Sequence, residues 1–225
     1  MALVARAGSV TSLYVSDGSR SHPGSREYPP ERIAAVRELE ALAALKALGV
    51  REPPIFLRYP DGEVATLAPA RRDVAVRSIA AAIVRLRPDA ILAPWLRDPH
   101  PDHGAAGALA LDAAATTGFE GDLGFYEVWL RVWGELRDRP TPREGRTTFV
   151  PLDAEARERK RRALAAHRSQ TGDLIKDDAG GFCITPELTD IWLGPRERLL
   201  WRVRGEGDRS NGLPAAKFAR GIFAR

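Results

Sequence analysis

The sequence predicts an α/β protein, a three-layer α/β/α fold with a doubly wound, mostly parallel sheet of the Rossmann type. Short apolar segments alternate along the chain with longer segments of helical period. This order is typical of parallel sheets flanked by helices. A length of 225 residues, 44% of them hydrophobic, suits one such domain with a buried core. We therefore expect a single domain over residues 1–204 and a flexible basic tail over residues 205–225.

The helices are predicted from apolar periodicity and from the residues that begin or end helices. Pro29 and Pro30 open one helix and Gly49 ends it, while Pro88 stops the next. Asp153 is a typical N-cap for a later, charged helix. Helices are predicted over residues 3–7, 30–48, 73–86, 103–116, 153–167 and 186–193.

The strands are predicted from short apolar or β-branched segments bounded by turn residues. They cover residues 9–16, 55–57, 90–93, 125–133, 147–150 and 199–203. The wholly apolar run at 90–93 predicts a strand in the middle of a parallel sheet.

Three polar clusters directly follow predicted strands. They are Asp17-Gly18-Ser19, Pro60-Asp61-Gly62 and residues 100–103. Ligands of doubly wound sheets bind beyond the carboxyl ends of the strands. We therefore expect the three clusters to meet at one rim of the sheet and to form a site there.

Composition and charge exclude several classes of protein. The net charge is +4 and the pI is about 9.6, but acidic residues are interspersed among the basic ones, which indicates a solvated surface and no nucleic-acid partner. No apolar run reaches the length of a transmembrane segment, and the N-terminal one is too short for a signal peptide. A single cysteine excludes a disulfide framework. We expect a cytoplasmic location, and the sequence does not indicate the oligomeric state.

The run His100-Pro101-Asp102-His103 carries the clearest chemical signal. Neutral imidazoles are good zinc ligands, and a neighbouring carboxylate can fix the tautomer of a ring. A plainer interpretation is a helix N-terminus that Asp102 caps, with two exposed histidines. The run alone leaves both interpretations open.

The surrounding residues resemble the PIG-L (LmbE-like) family of zinc-dependent N-deacetylases. The run from Pro94 to Gly107 resembles the second signature of that family, and further resemblances follow in family order over most of residues 9–200. These are the stretches at residues 15–25, 37–50 and 60–62, then Lys160 and residues 166–170.

The resemblance implies hydrolysis of an N-acetyl group on a small N-acetylglucosamine-type sugar conjugate. It makes His103 a zinc ligand and His100 the protonated partner that stabilises the oxyanion or protonates the leaving amine. Asp102 would orient and charge-balance a histidine. The expected substrate-binding residues are Arg37 and Asp61, which would hold sugar hydroxyls, and Asp17 and Ser19 at the rim.

The first signature of the family, a His-Pro-Asp-Asp run after the first strand, has no counterpart here. It would supply two zinc ligands and the general base. We therefore expect the first strand to be missing, because the recorded start lies downstream of the true one or the gene is truncated. We also expect weak or no zinc binding by this chain.

Two other functions remain open. An inactive remnant could bind a sugar or a partner protein. A nucleotide-dependent transferase is the weakest alternative, because no glycine-rich phosphate-binding motif is present.

Overall fold

The computed structural model describes residues 1–202, in which helices and strands alternate. The helices are α1 (Ala2–Ala7), α2 (Pro30–Leu48), α3 (Pro69–Leu86), α4 (Pro101–Thr116), α5 (Leu130–Trp133), α6 (Ala154–Ala165) and α7 (Pro186–Trp192). The strands are β1 (Leu13–Ser16), β2 (Ile55–Tyr59), β3 (Ala90–Pro94), β4 (Asp122–Tyr126), β5 (Gly145–Pro151) and β6 (Arg196–Arg202). Two 3₁₀ turns cover Val64–Thr66 and Leu136–Asp138.

The described residues form two compact units. Within residues 1–202, the first unit comprises Met1–Gly62 and Pro151–Glu197, and the second comprises Glu63–Val150 and residues 198–202.

In the first unit, β1 and β2 pair in parallel and α2 packs against α6. Helix α2 begins at a proline, and Gly49 ends it with a left-handed backbone (φ 81°) that favours glycine. Ile33 and Leu45 of α2 are buried, as are Ala156 and Ala163 of α6. The Asp153 side chain caps α6 by accepting a hydrogen bond from the amide of Ala156 at 2.8 Å.

In the second unit, the sheet has the strand order β3-β4-β6-β5. Strands β3 and β4 are parallel, and β4 and β6 are antiparallel. One hydrophobic cluster joins the sheet to α4, and its buried members are Ala93, Trp95, Ala110, Phe125, Leu130 and Leu200. Burial of a side chain such as Phe125 or Leu130 contributes about 2 kcal/mol. This cluster packs the end of β3 against the middle of α4.

The α/β prediction is confirmed by the alternating elements and by the two parallel strand pairs. One predicted element is wrong in kind. Residues 125–133 were expected to form a strand, but β4 ends at Tyr126 and residues 130–133 form α5. The reason is a buried carboxylate, that of Asp98, which accepts hydrogen bonds from the amides of Val128 and Trp129 and so draws the chain out of the sheet.

Other predictions differ in position or are not tested. Strand β3 was expected in the middle of a sheet, yet within residues 1–202 it pairs with β4 alone and stands first in the strand order. The single domain over residues 1–204 stays a prediction, and the expected basic tail lies outside the described residues. Among the described residues, no helix is both long and apolar enough to span a bilayer.

Candidate active site

His100 lies in the second unit, where the loop after β3 enters α4. Its Nδ1 accepts a hydrogen bond from the amide of Asp102 at 3.2 Å, so His100 is the N-cap of α4. Pro101 follows at the first helical position. An Nδ1 that accepts a hydrogen bond has no proton, and the proton of the neutral ring therefore sits on Nε2. Protonation of Nδ1 would break this cap.

His103 lies one turn further along the chain, and a buried carboxylate holds its ring. Its Nδ1 contacts Oδ1 of Asp98 at 2.8 Å, with the side chain of His103 26% exposed and that of Asp98 fully buried. A carboxylate at this distance requires a proton on Nδ1, so the neutral form of the ring carries its lone pair on Nε2. The ring is thus prepared to bind a metal ion or to accept a proton through Nε2.

The same Asp98 carboxylate organises the loop after β4. Its Oδ2 accepts hydrogen bonds from the amides of Val128, Trp129 and Leu130 at 3.0, 2.9 and 3.3 Å. Burial disfavours the charge of Asp98, but the hydrogen bonds from His103 and from these backbone amides outweigh burial and hold the pKa of Asp98 below its ordinary value. Asp98 is therefore an anion at neutral pH.

Aromatic rings surround the two histidines. The imidazoles of His100 and His103 stack at a centroid distance of 4.6 Å. Trp129 lies edge-on to both, at 4.8 Å from His100 and 5.6 Å from His103. Both histidines are partly buried. The interpretation of residues 100–103 as a helix end capped by Asp102 is therefore wrong, because His100 is the cap and neither histidine is exposed.

Asp102 was expected to orient a histidine. Its carboxylate is buried, and Oδ1 accepts a hydrogen bond from the amide of Val64 at 3.0 Å. The side chain that contacts Nδ1 of His103 is that of Asp98.

The predicted residues of the first unit form a group of their own. Oδ1 of Asp17 accepts hydrogen bonds from the amides of Ser19 and Asp61, both at 3.0 Å. Oδ2 of Asp61 in turn accepts one from the amide of Arg20 at 3.2 Å. The clusters after β1 and β2 therefore meet, while the meeting of all three clusters at one rim stays a prediction.

Arg37 of α2 is the most unusual side chain of this group. Its Nε is buried without a hydrogen-bond partner. Burial lowers the pKa of Arg37 to about 10, although the negative charges of Glu40 and Asp61 oppose the shift. Gly18, with φ 68°, lies beside it, where a Cβ atom would come 3.4 Å from Cγ of Arg37. A buried guanidinium with an unused donor is suited to bind an oxygen-rich ligand.

Two further histidines of the first unit lie near this cation, His22 buried and His167 partly buried. Burial lowers the pKa of His167, with Glu40 raising it and Arg37 lowering it further. Burial and the positive charge of Arg37 likewise lower the pKa of His22. Glu40 is itself buried, where it accepts hydrogen bonds from the amide and the hydroxyl of Ser169 at 2.6 and 2.7 Å.

Comparison with known families gives this arrangement a context. The family model described as PIG-L, GlcNAc-PI de-N-acetylase, matches residues 1–114, which is more than half of the chain. The chain belongs to the PIG-L family. The histidine pair and the Arg37 group both lie within the matched residues.

Solved structures of deacetylases have a similar fold. The N,N'-diacetylchitobiose deacetylase of Pyrococcus horikoshii is 20% identical with a TM-score of 0.61, over 91% of this chain and 78% of that one. A triple mutant of the deacetylase Orf2 from the teicoplanin pathway is 19% identical with a TM-score of 0.68, over 91% and 90%. The zinc-inhibited form of Orf2 is 16% identical with a TM-score of 0.61, over 88% and 99%.

A PIG-L deacetylase would use zinc, and side chains of this chain would have to bind it. His103 presents Nε2 as one suitable ligand. Catalytic zinc, however, needs three protein ligands. Within residues 1–202, no group of three histidine, cysteine, aspartate or glutamate side chains is placed to hold a metal ion. The described residues therefore do not fit a complete zinc site.

Sequence reasoning missed two residues of the site, Asp98 and Trp129. Asp98 precedes His103 by five residues, within the quoted signature. No spacing rule predicts its contacts with the amides of residues 128–130, which are about 30 residues away. Trp129 belongs to the aromatic stretch that was predicted as a strand.

Proposed function

We propose that this chain acts in the removal of an N-acetyl group from a small N-acetylglucosamine-type sugar conjugate, in the cytoplasm. The observation that carries the proposal is the pair His100 and His103, whose tautomers are set by the amide of Asp102 and by the carboxylate of Asp98. Membership of the PIG-L family supplies the reaction class.

The two rings are prepared for complementary roles. His103 presents a lone pair on Nε2, where it can bind a metal ion. His100 presents an N–H on Nε2, which can donate a hydrogen bond to the acetyl oxygen as negative charge develops there. Oxyanion stabilisation is thus the role of His100 that its cap geometry supports. To protonate the leaving amine, the ring would need protons on both nitrogens, and the amide of Asp102 would then need another acceptor.

We assign sugar binding to Arg37, Asp61, Asp17 and Ser19. The unpartnered Nε of Arg37 supports this assignment, because a buried donor that finds no protein acceptor is best satisfied by a ligand oxygen. Asp61 contributes charge near the same guanidinium. Asp17 holds the loops of Ser19 and Asp61 together.

A second candidate is a protein that binds such a sugar without hydrolysing it. The lack of a three-residue metal-ligand group within residues 1–202 favours this candidate. In both candidates the protein binds the same sugar, and they differ only in whether the N-acetyl group is hydrolysed.

Acetate release from N,N'-diacetylchitobiose by the 225-residue protein, with and without added zinc, tests the proposal. We expect acetate release only when zinc is added in excess, and His103→Ala should reduce it by about 10- to 100-fold, the loss typical when a metal site is disturbed. Thr116→Ala, an exposed change at the other end of α4, is the matched control and should leave the rate unchanged.

Sugar binding without acetate release would support the second candidate. Full activity of His103→Ala would contradict the role of His103. Failure of the protein to bind or hydrolyse any acetamido sugar would contradict both candidates.

A further inference from the structure

The chain from α5 to the start of β5, residues 130–146, exposes two large apolar side chains. We call it the basic segment. Leu136, in the second 3₁₀ turn, is 81% exposed, and Trp133, the last residue of α5, is 50% exposed. One exposed leucine is ordinary on a protein surface. A leucine and a tryptophan exposed so close together in one segment indicate a surface that contacts another apolar phase.

Arginines accompany these two side chains. The exposed arginines of the basic segment are Arg131, Arg137, Arg139, Arg143 and Arg146. Its acidic residues are Glu135, Asp138 and Glu144. The charge of Glu144 is offset by Arg97, which donates to both of its carboxylate oxygens. The segment therefore presents an excess of positive charge to solvent.

Side chains from the loop after β3 hold the basic segment in this conformation. Nε1 of the buried Trp95 donates to the carbonyl of Asp138 at 2.6 Å. Arg97 donates to two further carbonyls, those of residues 137 and 139, at 3.2 and 2.9 Å. A capping box closes the turn that carries Leu136. The exposure of Leu136 is thus a property of a fixed turn.

An anionic lipid bilayer fits both properties of the segment. Tryptophan and leucine combined with arginine are typical of protein segments that lie in a bilayer interface. Tryptophan is favoured at the level of the headgroups, and each arginine near an anionic surface adds to the attraction. A polyanion in water would satisfy the arginines but would leave Leu136 exposed.

We propose that the basic segment docks the second unit on the surface of an anionic lipid bilayer. Leu136 and Trp133 enter the interface, and the arginines contact lipid phosphates. Trp129 connects this surface with the histidine pair, because its ring lies 4.6 Å from that of Trp133 and 4.8 Å from that of His100. Docking therefore brings the histidine pair close to the headgroups.

Co-sedimentation of the 225-residue protein with lipid vesicles tests the inference. One set of vesicles is pure phosphatidylcholine, and the other contains equal parts of phosphatidylcholine and phosphatidylglycerol. We expect the anionic vesicles to bind the protein at least about tenfold more tightly, since each arginine at an anionic surface contributes about fivefold. No acetamido sugar is involved, so the result is independent of the proposed function.

Variants locate the apolar contact. Leu136→Asp should weaken binding to anionic vesicles by at least about tenfold, because the leucine no longer enters the interface. Leu39→Asp is the matched control, since it adds the same charge at a leucine of α2 that is 67% exposed. This control should bind as the unmodified protein does. Circular dichroism of each variant verifies that the fold is intact.

A second pair of variants locates the charge contact. Arg143→Glu should weaken binding to anionic vesicles by about fivefold or more. Arg51→Glu, the same change at an exposed arginine of the first unit, should weaken binding less.

Several results would overturn the inference. They are a lack of binding to anionic vesicles, or equal binding by Leu136→Asp and Leu39→Asp, which would assign vesicle binding to another surface. A dimer that Leu136→Asp disrupts in sedimentation equilibrium would assign the basic segment to a second copy of the chain. Binding of soluble polyglutamate that Leu136→Asp weakens equally would assign it to an acidic protein.

Discussion

At the scale of single residues, Asp98 has the largest influence on the site. One buried carboxylate accepts hydrogen bonds from the ring of His103 and from three consecutive amides of the loop that carries Trp129. A substitution at Asp98 should therefore change both the tautomer of His103 and the conformation of the loop at residues 128–130.

Asp98→Asn should reverse the tautomer of His103. The asparagine oxygen can still accept from the amides of residues 128–130, which directs its NH₂ group towards Nδ1 of His103. Nδ1 then becomes an acceptor and the proton moves to Nε2, which removes the lone pair available to a metal. Nitrogen chemical shifts of ¹⁵N-labelled histidine report the tautomer directly.

The same variant should lower the free energy of unfolding by about 1–3 kcal/mol, because a charge-assisted hydrogen bond is lost in a buried place. Asp112→Asn, at a side chain of α4 that is 47% exposed, is the control and should leave the tautomer of His103 unchanged. If His103 keeps its proton on Nδ1 in Asp98→Asn, the carboxylate does not set the tautomer.

How far sequence predicts the site depends on how local each interaction is. The cap of α4 involves neighbours in the chain, and the run at residues 100–103 was recognisable as a chemical centre. Asp98 acts on amides about 30 residues away, a contact that no periodicity or spacing encodes. Its link between His103 and the loop at residues 128–130 therefore became visible only in the folded chain.

At the scale of elements, sequence predicted which segments are helical better than which face is buried. In α3, the apolar residues do not all face the core. Ile79 and Ile83 are buried, but Val74, Val84 and Leu86 are 47%, 64% and 43% exposed. Val76 and the alanines at 75, 80 and 82 occupy the remaining buried positions. Small residues give little hydrophobic signal, so their burial is poorly predicted from sequence.

Helix α4 uses glycine to approach the end of β3. A Cβ atom at Gly107 would lie 2.4 Å from the carbonyl oxygen of Pro94 and 3.1 Å from Cδ2 of Leu96. Alanine normally stabilises a helix by up to about 1 kcal/mol relative to glycine. Here the nearer contact is with backbone, which cannot move without shifting the loop that leads to His100.

Gly107→Ala should therefore lower the free energy of unfolding by about 1–3 kcal/mol, as overpacking of a close contact does. Urea denaturation followed by circular dichroism measures the change. Ala81→Gly, at an exposed position of α3, is the control for helix propensity and should cost about 0.5–1 kcal/mol. A more stable Gly107→Ala variant would show that α4 does not need this close approach.

At the scale of the whole molecule, membership of the PIG-L family predicts a zinc site, whereas the residues that the structure describes do not supply the ligands for one. The chain belongs to the PIG-L family, and solved proteins with this fold include a zinc-inhibited deacetylase. Asp98 places the lone pair of His103 on Nε2. Within residues 1–202, however, two further ligand side chains do not lie close enough to His103 to hold a metal ion with it. Beyond residue 202 the sequence contains no histidine or cysteine.

The purified 225-residue protein should therefore retain well below one zinc ion per chain after dialysis, because one imidazole plus water binds zinc far less tightly than three protein ligands. Metal analysis against a chromogenic chelator measures the stoichiometry. His103→Ala should remove the residual binding, and Thr116→Ala should not. One tightly held zinc per chain would instead mean that further ligands come together around His103 in solution. The protein would then contain a complete metal site.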